Sequence, residues 1–343
     1  MTPTIIAVIG AGRIGSMHAE NLIRHMPEAS VRAVVDPNVD TAWLTDLGID
    51  PALNDFDAVL ADPEIEAVLV AVPSPHHVEM IQRAAEAGKQ IFCEKPIAFE
   101  TADIEKAVAA VKAAGVQLQV GFNRRFDPSF TSAREAVRAG RLGDILTVSV
   151  TNRDPAPPSL EFLARSGGLF LDMMIHDFDT VRSLTGTEIT EVYSTGAALV
   201  DPAIAELGDI DTAVVALKLA NGAVGSIVVS RQSTYGYDQR LEVLGSEGSV
   251  RVHNLRPTST SYATEEGVVS DPLHHSFVER FHEAFVAELR AFLECVRRGT
   301  PVPVNGSDAL AALRGALAAQ LSLREGRPVR LAEFTEADRV GTS

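Results

Sequence analysis

The chain of 343 residues is longer than a single hydrophobic core usually grows, so its length favours two domains. Its composition, with 46% hydrophobic and 22% charged residues, is that of a folded globular protein and excludes a disordered or fibrous one. The formal net charge of -16 argues against nucleic acid or an anionic membrane surface as a partner, because either would repel the protein.

Targeting patterns and cysteine usage bear on the location of the protein. No segment reaches the ~18 continuous apolar residues of a membrane span, and the first residues lack the pattern of a signal peptide. Cys93 and Cys295 each lie in an apolar stretch, which predicts buried free thiols in a reducing compartment. We therefore expect a cytoplasmic protein without a membrane partner.

The first third of the chain alternates short apolar strands with helices. The predicted strands are Thr4–Ile9, Val31–Val35, Ala67–Val72, Gln90–Cys93 and Val116–Val120. The predicted helices between them include Ile14–His25, Val78–Ala87 and Thr101–Ala114. Such alternation predicts an α/β fold with a doubly wound parallel sheet of the Rossmann type, which we assign to residues 1–121.

Beyond Gly121 the predicted strands become longer and alternate in polarity. They are Ile145–Thr151, Ile189–Gly196, Thr212–Leu219, Ala223–Ser230 and Arg240–Gly245. Asn221-Gly222 is a strong hairpin signal, and residues 277–298 have the spacing of one amphipathic helix. We expect residues 122–335 to form a second α/β domain with a large, mainly antiparallel open sheet.

A glycine motif, Gly10-Ala11-Gly12-Arg13-Ile14-Gly15, lies between the first strand and the first helix. In this context the first glycine turns the chain, the second lets the backbone approach a pyrophosphate, and the third packs helix on strand. Asp36 follows the second strand, where an acid binds the adenine ribose hydroxyls. A carboxylate there would repel a 2'-phosphate, so the pattern favours NAD over NADP; a solvent-exposed turn acid is the alternative.

The tripeptide Glu94-Lys95-Pro96 lies at the carboxyl end of the fourth strand, where doubly wound sheets bind ligands. A lysine there can hold a substrate hydroxyl and join a proton relay. Alternatively, Lys95 is a surface residue in a turn shaped by the proline. Pro73 and His77, which follow the third strand, are further candidates for contact with a cofactor.

Asp172 and His176 are four residues apart, which places them on one face if their segment is helical. A neutral imidazole suits removal of a hydroxyl proton while hydride leaves the same carbon, and the acid can orient the ring or bind a second hydroxyl. A structural histidine is the alternative. We predict no catalytic metal, because the segment lacks a third ligand and any H-E-x-x-H pattern.

With the glycine motif, Glu94-Lys95-Pro96 and the segment from Gly167-Gly168 to His176-Asp177 in this order, the sequence resembles the Gfo/Idh/MocA family of oxidoreductases over essentially its whole length. Within the family it is most similar to members that oxidise inositol. The segments that carry this finer similarity are residues 121–127, 153–155, 235–240 and 277–281.

The resemblance implies NAD-dependent oxidation of myo-inositol to its 2-keto form, scyllo-inosose. It implies a catalytic trio of Lys95, Asp172 and His176. The expected cofactor-binding residues are Gly10, Ala11, Gly12, Arg13, Ile14, Asp36, Pro73, His77, Glu94 and Lys95. The expected substrate-binding residues are Lys95, Arg125, Asn152, Asp154, Asp172, His176 and Tyr235.

Three points stay open at this stage. Some inositol dehydrogenases carry a histidine at the position of Asn152, so another cyclic polyol or sugar, such as scyllo-inositol, D-chiro-inositol or a glucose-like ring, is the alternative substrate. A regulator that binds NAD without turnover is the alternative of a different class, and it would need neither Lys95 nor the Asp172/His176 pair. Family members commonly form tetramers through the open face of the second sheet, which implies a homo-oligomer here.

Overall fold

The computed structural model describes residues 2–50 and 55–333. The strands are β1 (Thr4–Ile9), β2 (Ala29–Val35), β3 (Ala67–Val70), β4 (Gln90–Cys93), β5 (Leu118–Val120), β6 (Ile145–Arg153), β7 (Ile189–Ala197), β8 (Thr212–Leu219), β9 (Val224–Ser230), β10 (Asp238–Gly245), β11 (Ser249–Val252), β12 (Ser261–Thr264), β13 (Gly267–Ser270) and β14 (Val329–Arg330).

The helices are α1 (Arg13–His25), α2 (Thr41–Asp46), α3 (Phe56–Ala61), α4 (His77–Glu86), α5 (Thr101–Ala114), α6 (Pro128–Arg138), α7 (Leu160–Leu163), α8 (Ile175–Thr185), α9 (Pro202–Glu206), α10 (Phe277–Arg280), α11 (His282–Arg298) and α12 (Gly306–Glu325). Short 3-10 turns lie at Ser74–His76, Asn123–Phe126 and Leu331–Glu333, and a π-helical turn lies at Phe170–Met174. Among the described residues no helix is both long enough and apolar enough to cross a membrane.

The chain forms two compact units, and each is discontinuous in sequence. Among the described residues, the first comprises residues 2–50, 55–126 and 283–311, and the second comprises residues 127–282 and 312–333. A segment near the C-terminus therefore belongs to the same unit as the first five strands.

The first unit contains a five-stranded parallel sheet in the order β2-β1-β3-β4-β5. This confirms the parallel sheet expected from the alternation of strands and helices. Its strands read as continuous apolar runs because helices cover both faces. One core cluster joins residues of β1, α1 and β4 to α11, through Val8, Leu22, Phe92, Leu289 and Phe292.

The second unit contains a seven-stranded sheet in the order β11-β10-β6-β9-β8-β7-β14. Every neighbouring pair is antiparallel except β6 and β9, which are parallel. The predicted hairpin at Asn221-Gly222 connects β8 to β9, and a second tight turn over residues 246–248 connects β10 to β11. Helix α8 packs against β6 on one face of this sheet, which positions the segment containing Asp172 and His176.

The prediction of one helix over residues 277–298 is wrong, because the helix is interrupted at Phe281. The backbone of Phe281 leaves the helical region at φ -111° and ψ 18°. Its ring packs edge-on against Phe130 and Tyr237, and the neighbouring Arg280 binds Asp127. These tertiary contacts outweigh the helical periodicity of the sequence.

The two cysteines are free thiols, but only Cys93 is fully buried. Burial, reinforced by the negative charge of Glu94, raises the pKa of the Cys93 thiol well above its usual value. Cys295 is partly exposed, so the prediction of burial is wrong for that residue.

Candidate active site

The glycine motif forms the turn between β1 and α1. Gly10 has a φ of +101°, and a Cβ there would lie 2.6 Å from the carbonyl oxygen of Ala71. A Cβ on Gly15 would lie 1.9 Å from the carbonyl oxygen of Gly10. Both positions therefore require glycine for turning and close packing. A Cβ on Gly12 would meet no atom within 4 Å, so the open side of this turn has room for a ligand.

Asp36 lies directly beside this turn. One carboxylate oxygen accepts a hydrogen bond from the amide of Ala11 at 2.8 Å, and the other accepts one from the amide of Asn38 at 2.8 Å. The hydrogen bond between Ala11 and Asp36 joins two residues that the sequence analysis assigns to the cofactor-binding site. Arg13 is exposed and Ile14 is half-buried at the start of α1. The turn, the helix start and the acid together fit the adenosine and pyrophosphate of a dinucleotide.

His77 is buried at the start of α4. Its Nδ1 lies 2.8 Å from the carbonyl oxygen of Pro96, and its Nε2 lies 2.7 Å from that of Val72. Burial lowers the pKa of His77, although both carbonyl oxygens act in the opposite direction. The ring thus links the segment after β3, which includes the exposed Pro73, to the segment after β4.

Glu94 and Lys95 follow β4 at the carboxyl edge of the parallel sheet. The amide of Glu94 continues the ladder by donating to Val70 at 2.9 Å. One carboxylate oxygen of Glu94 lies 2.7 Å from Nε2 of His18, and the other accepts the amide of Lys95 at 3.2 Å. The Lys95–Pro96 peptide bond is cis. Lys95 is therefore anchored through its backbone, and its side chain is partly exposed.

Arg125 belongs to the first unit as well. Its guanidinium donates to Asp308 at 2.9 Å, and the side chain is largely buried. The acceptor lies near the start of α12, far along the chain from Arg125. The sequence singles out Arg125 but gives no sign of this partner.

In the second unit, Asp172 lies in the π-helical turn Phe170–Met174 and His176 in the first turn of α8. The segment is helical, which is the condition for the pair to share a face, and its first turn is wider than that of a regular α-helix. π-helical turns occur frequently at functional sites. The carboxylate of Asp209 accepts the amide of Leu169 at 3.0 Å and so fixes the start of this segment.

Arg231 is a functional candidate that sequence reasoning missed. It directly follows β9, is completely buried, and donates from Nη1 to Oδ2 of Asp172 at 3.2 Å. Nε and Nη2 of Arg231 have no hydrogen-bond partner within the described part of the chain. The sequence signal that could have identified Arg231 is its position directly after an apolar strand. The partly exposed carboxylate of Asp172 is held by a buried cation.

Asn152 lies on the buried face of β6, and its amide donates to the carboxylate of Asp177 at 2.9 Å. Asp177 is also buried and directly follows His176. Asp154 lies just past β6, where its amide donates to Ser230 at 3.0 Å. Asn152 therefore supports the α8 segment from below, and its own side chain is not at the surface.

Tyr235 belongs to a hydrogen-bond network centred on the buried Asp238. Its hydroxyl donates to Asp238 at 2.6 Å and accepts from Arg153 at 2.6 Å. Arg240 and Asn254 also donate to Asp238. Burial alone would raise the pKa of Asp238, but the hydrogen bonds from Arg240, Tyr235 and Asn254 outweigh it and lower the pKa. The ring of Tyr235 is 49% exposed, so it can still face a ligand.

Comparison with known proteins places these features in a family. Residues 5–122 match the profile described as oxidoreductase family, NAD-binding Rossmann fold, and residues 130–251 match that of the GFO/IDH/MocA C-terminal domain. The chain belongs to the Gfo/Idh/MocA family of oxidoreductases. The resemblance inferred from its motifs is confirmed.

The similarity to individual family members covers nearly the whole chain. An uncharacterized oxidoreductase of Bacillus subtilis is 45% identical over 98% of this chain and 99% of its own. A myo-inositol 2-dehydrogenase of Thermotoga maritima is 42% identical over 96% of this chain and 98% of its own. The crystal structure of scyllo-inositol dehydrogenase from Lactobacillus casei with bound NAD(H) and scyllo-inositol has a TM-score of 0.88 at 31% identity, covering 97% of this chain and 100% of that one.

Proposed function

We propose that this protein is an NAD-dependent dehydrogenase that oxidises a ring hydroxyl of myo-inositol to 2-keto-myo-inositol. The observation that carries this proposal is the 42% identity, over 96% of the chain, to a myo-inositol 2-dehydrogenase. The glycine turn and Asp36 support NAD as the cofactor, because the acid beside Ala11 would accept ribose hydroxyls and repel a 2'-phosphate.

In the proposed reaction NAD supplies the hydride acceptor, and the residues of the chain handle the substrate and its proton. Lys95 holds the oxygen of the reacting hydroxyl, and His176 takes its proton. Asp172 is fixed by Arg231. Its carboxylate orients the ring of His176 or binds a second hydroxyl of the substrate. The hydroxyl proton therefore goes to His176, and the hydride goes to NAD.

Four further residues are proposed for the substrate pocket. Arg125 is largely buried, Asp154 is partly exposed and Tyr235 is half-exposed. All three carry donors or acceptors suited to ring hydroxyls. Asn152 is buried and holds Asp177, which favours a supporting role over direct contact. A polyol that presents several hydroxyls matches such a set of polar groups.

The test is formation of NADH by the purified protein with NAD and, separately, myo-inositol, scyllo-inositol, D-chiro-inositol and glucose, repeated with NADP. Fast turnover of myo-inositol with NAD is the expected result. Preference for scyllo-inositol would move the substrate to that of the L. casei relative. Cofactor binding without turnover of any ring would instead support a regulator that senses NAD.

Replacement of the proposed catalytic groups tests their roles. We expect Lys95→Ala and His176→Ala each to lower kcat by about 10²–10⁴-fold, the range typical of a lost acid or base. Lys106→Ala is the matched control, since it removes an exposed lysine on α5 of the first unit. Near wild-type turnover in either test variant, at unchanged NAD affinity, would refute the assignment.

We also propose that the protein assembles as a homotetramer through the open face of its seven-stranded sheet. The registers of β7 to β10 place Tyr193, Val214, Val224 and Leu244 on one face, and each is at least 40% exposed. Several exposed apolar side chains on one face of a sheet favour association. Size-exclusion chromatography with light scattering should give the mass of a tetramer for the wild type. Val214→Arg should lower that mass, because it places a charge on this face. Leu199→Arg, which lies after the end of β7, is the control and should leave the mass unchanged.

A cytoplasmic location completes the proposal. Cys93 and Cys295 are both free thiols, which fits a reducing compartment. Fractionation of the native host should recover the protein with cytoplasmic markers.

A further inference from the structure

Three ionisable side chains that take no part in the proposed proton and hydride transfer meet inside the first unit. They are His18 of α1, Glu94 after β4 and Glu288 of α11, and one ligand-type atom from each lies within 4.8 Å of the others. His18 and Glu288 are completely buried, and Glu94 is 13% exposed at its side chain. The rings of Phe92 and Phe285 pack edge-on against His18. Ionisable groups in such apolar surroundings need pairing.

Glu288 is the least compensated member. Neither of its carboxyl oxygens has a hydrogen-bond partner within the described residues. Burial, followed by the negative charge of Glu94, raises the pKa of Glu288 well above its usual value. A carboxyl group that is buried, lacks a hydrogen-bond partner among the described residues and lies beside a second carboxylate favours its uncharged form.

A proton fits the geometry of this cluster better than a metal ion. Nε2 of His18 and Oε1 of Glu94 are 2.7 Å apart, which is a hydrogen-bond distance. Two ligands bonded to one tetrahedral ion at about 2.0–2.2 Å would be separated by roughly 3.3 Å. The His18–Glu94 pair is therefore joined by a hydrogen bond and leaves no room for a bridging ion.

The cluster is connected directly to Lys95. The second oxygen of Glu94 accepts the amide of Lys95 at 3.2 Å. A Cβ on Gly121 would lie 3.0 Å from the Glu94 carboxylate, so β5 closes the other side of this group. The side-chain amide of Gln119 holds the backbone of Glu288 at 2.7 Å. The carboxylate of Glu94 is thus held by His18 and the amide of Lys95, with Gly121 packed against it.

Two other titratable groups feel the charge of Glu94. That charge raises the pKa of Cys93, after the larger effect of burial, and it opposes the lowering of the pKa of His77 by burial. Both groups are buried and do not complete the hydrogen bonding of the cluster. Cys93 and His77 are therefore neighbours of Glu94, while the amide of Lys95 donates a hydrogen bond to its carboxylate.

We propose that His18 and Glu288 are positioning residues for the dehydrogenase: His18 holds the carboxylate of Glu94 by a hydrogen bond, Glu288 encloses that carboxylate as an uncharged neighbour, and Glu94 in turn holds the backbone of Lys95. This inference rests on the proposed function, since Lys95 acts on the substrate in that reaction. A displacement of about 1 Å at such a residue can lower a rate by about 10²-fold.

The first measurement is independent of activity. An infrared difference spectrum between the wild type and Glu288→Gln, at neutral pH, should contain the C=O stretch of a protonated carboxylic acid in the wild type only. Absence of that band would refute the neutral state of Glu288. Metal analysis of the purified protein is made on the same samples, and a stoichiometric divalent ion that is lost in His18→Leu would overturn the proton assignment.

The second measurement separates positioning from packing. We expect His18→Leu to lower kcat by about 10²-fold with KM for NAD nearly unchanged, and His18→Gln, which keeps a donor toward Glu94, to recover part of the loss. Glu288→Gln should retain more activity than Glu288→Ala, because the amide replaces a neutral acid of the same shape.

Phe292→Leu is the matched control, because it removes apolar volume from the same core and none of the three polar groups. Equal losses of kcat in His18→Leu and Phe292→Leu, or none in His18→Leu, would refute the positioning role. A wild type that turns over no ring would refute the proposed function instead, while the infrared band would still report the state of Glu288.

Discussion

Nη1 of Arg231 donates a hydrogen bond to Oδ2 of Asp172 across 3.2 Å, from a guanidinium that is completely buried. Among the described residues this guanidinium forms an ion pair with Asp172, and burial strengthens such a pair because it is shielded from solvent. Asp172 thereby has a fixed orientation in the π-helical turn that precedes His176.

Replacement of Arg231 by Met should lower kcat/KM for the polyol by about 10–100-fold, since a hydrogen bond to a charged group contributes about 1.5–3 kcal/mol. The affinity for NAD should stay unchanged. Steady-state kinetics measure kcat/KM for the polyol, and a fluorescence titration measures the affinity for NAD. Arg165→Met, which removes an exposed arginine paired with Glu161, is the control, and an equal effect of both substitutions would contradict this role.

Two glycines of the same motif should respond differently to alanine. Gly15→Ala forces a contact near 1.9 Å with the backbone of Gly10, and we expect it to cost about 1–3 kcal/mol of stability, as overpacking does. Gly12→Ala meets no atom of the chain within 4 Å, so its Tm should be nearly that of the wild type while its affinity for NAD falls. Thermal unfolding and NAD titration distinguish the pair; tight NAD binding by Gly12→Ala would argue against this turn as the pyrophosphate site.

The buried ion pair between Asp127 and Arg280 should contribute strongly to stability. Their contact is 2.6 Å, and Asp127 also accepts the amides of Ser129 and Phe130 at the start of α6. Asp127→Ala leaves Arg280 buried without its partner, at an expected cost of about 3–5 kcal/mol. Asp201→Ala, which removes only a helix cap, should cost about 0.5–2 kcal/mol. Urea unfolding measures both, and similar losses would mean that the ion pair adds nothing.

The network around Asp238 should make stability depend on pH in the acid range. Because the folded state lowers the pKa of Asp238 below its ordinary value of 3.8, its contribution is complete above that value and is lost as the pH falls through the folded pKa. The urea midpoint of Asp238→Asn should therefore lie below that of the wild type at pH 7 and approach it only as the pH falls below 3.8 and through the folded pKa. Glu242→Gln on the same strand is the control, and a difference independent of pH would contradict the assignment.

Features set by neighbours in sequence could be predicted best. The glycine motif, Asp36 and the boundaries of β1, β4 and α5 follow from local turn chemistry and apolar runs, and the Ala11–Asp36 contact agrees with the motif. The NAD-binding family assignment rests on the same local signals.

Features that depend on long-range packing could not be read from periodicity. Arg231 and Asp172 are 59 residues apart, and His18 and Glu94 are 76 apart. The break at Phe281 lies inside a helical pattern, and only the contacts of its ring with Phe130 and Tyr237 explain it. Burial gives these charged and aromatic residues their partners, and a single sequence does not contain that information.

The return of residues 283–311 to the first unit has a consequence for how the protein is made. Leu289, Phe292 and Leu293 complete the core that begins with β1, yet a ribosome delivers them only after the whole intervening segment. During translation the newly made parallel sheet therefore leaves an apolar face exposed until residues 283–311 have been synthesised. A fragment that ends at residue 126 would lack these residues, and its apolar face would stay exposed.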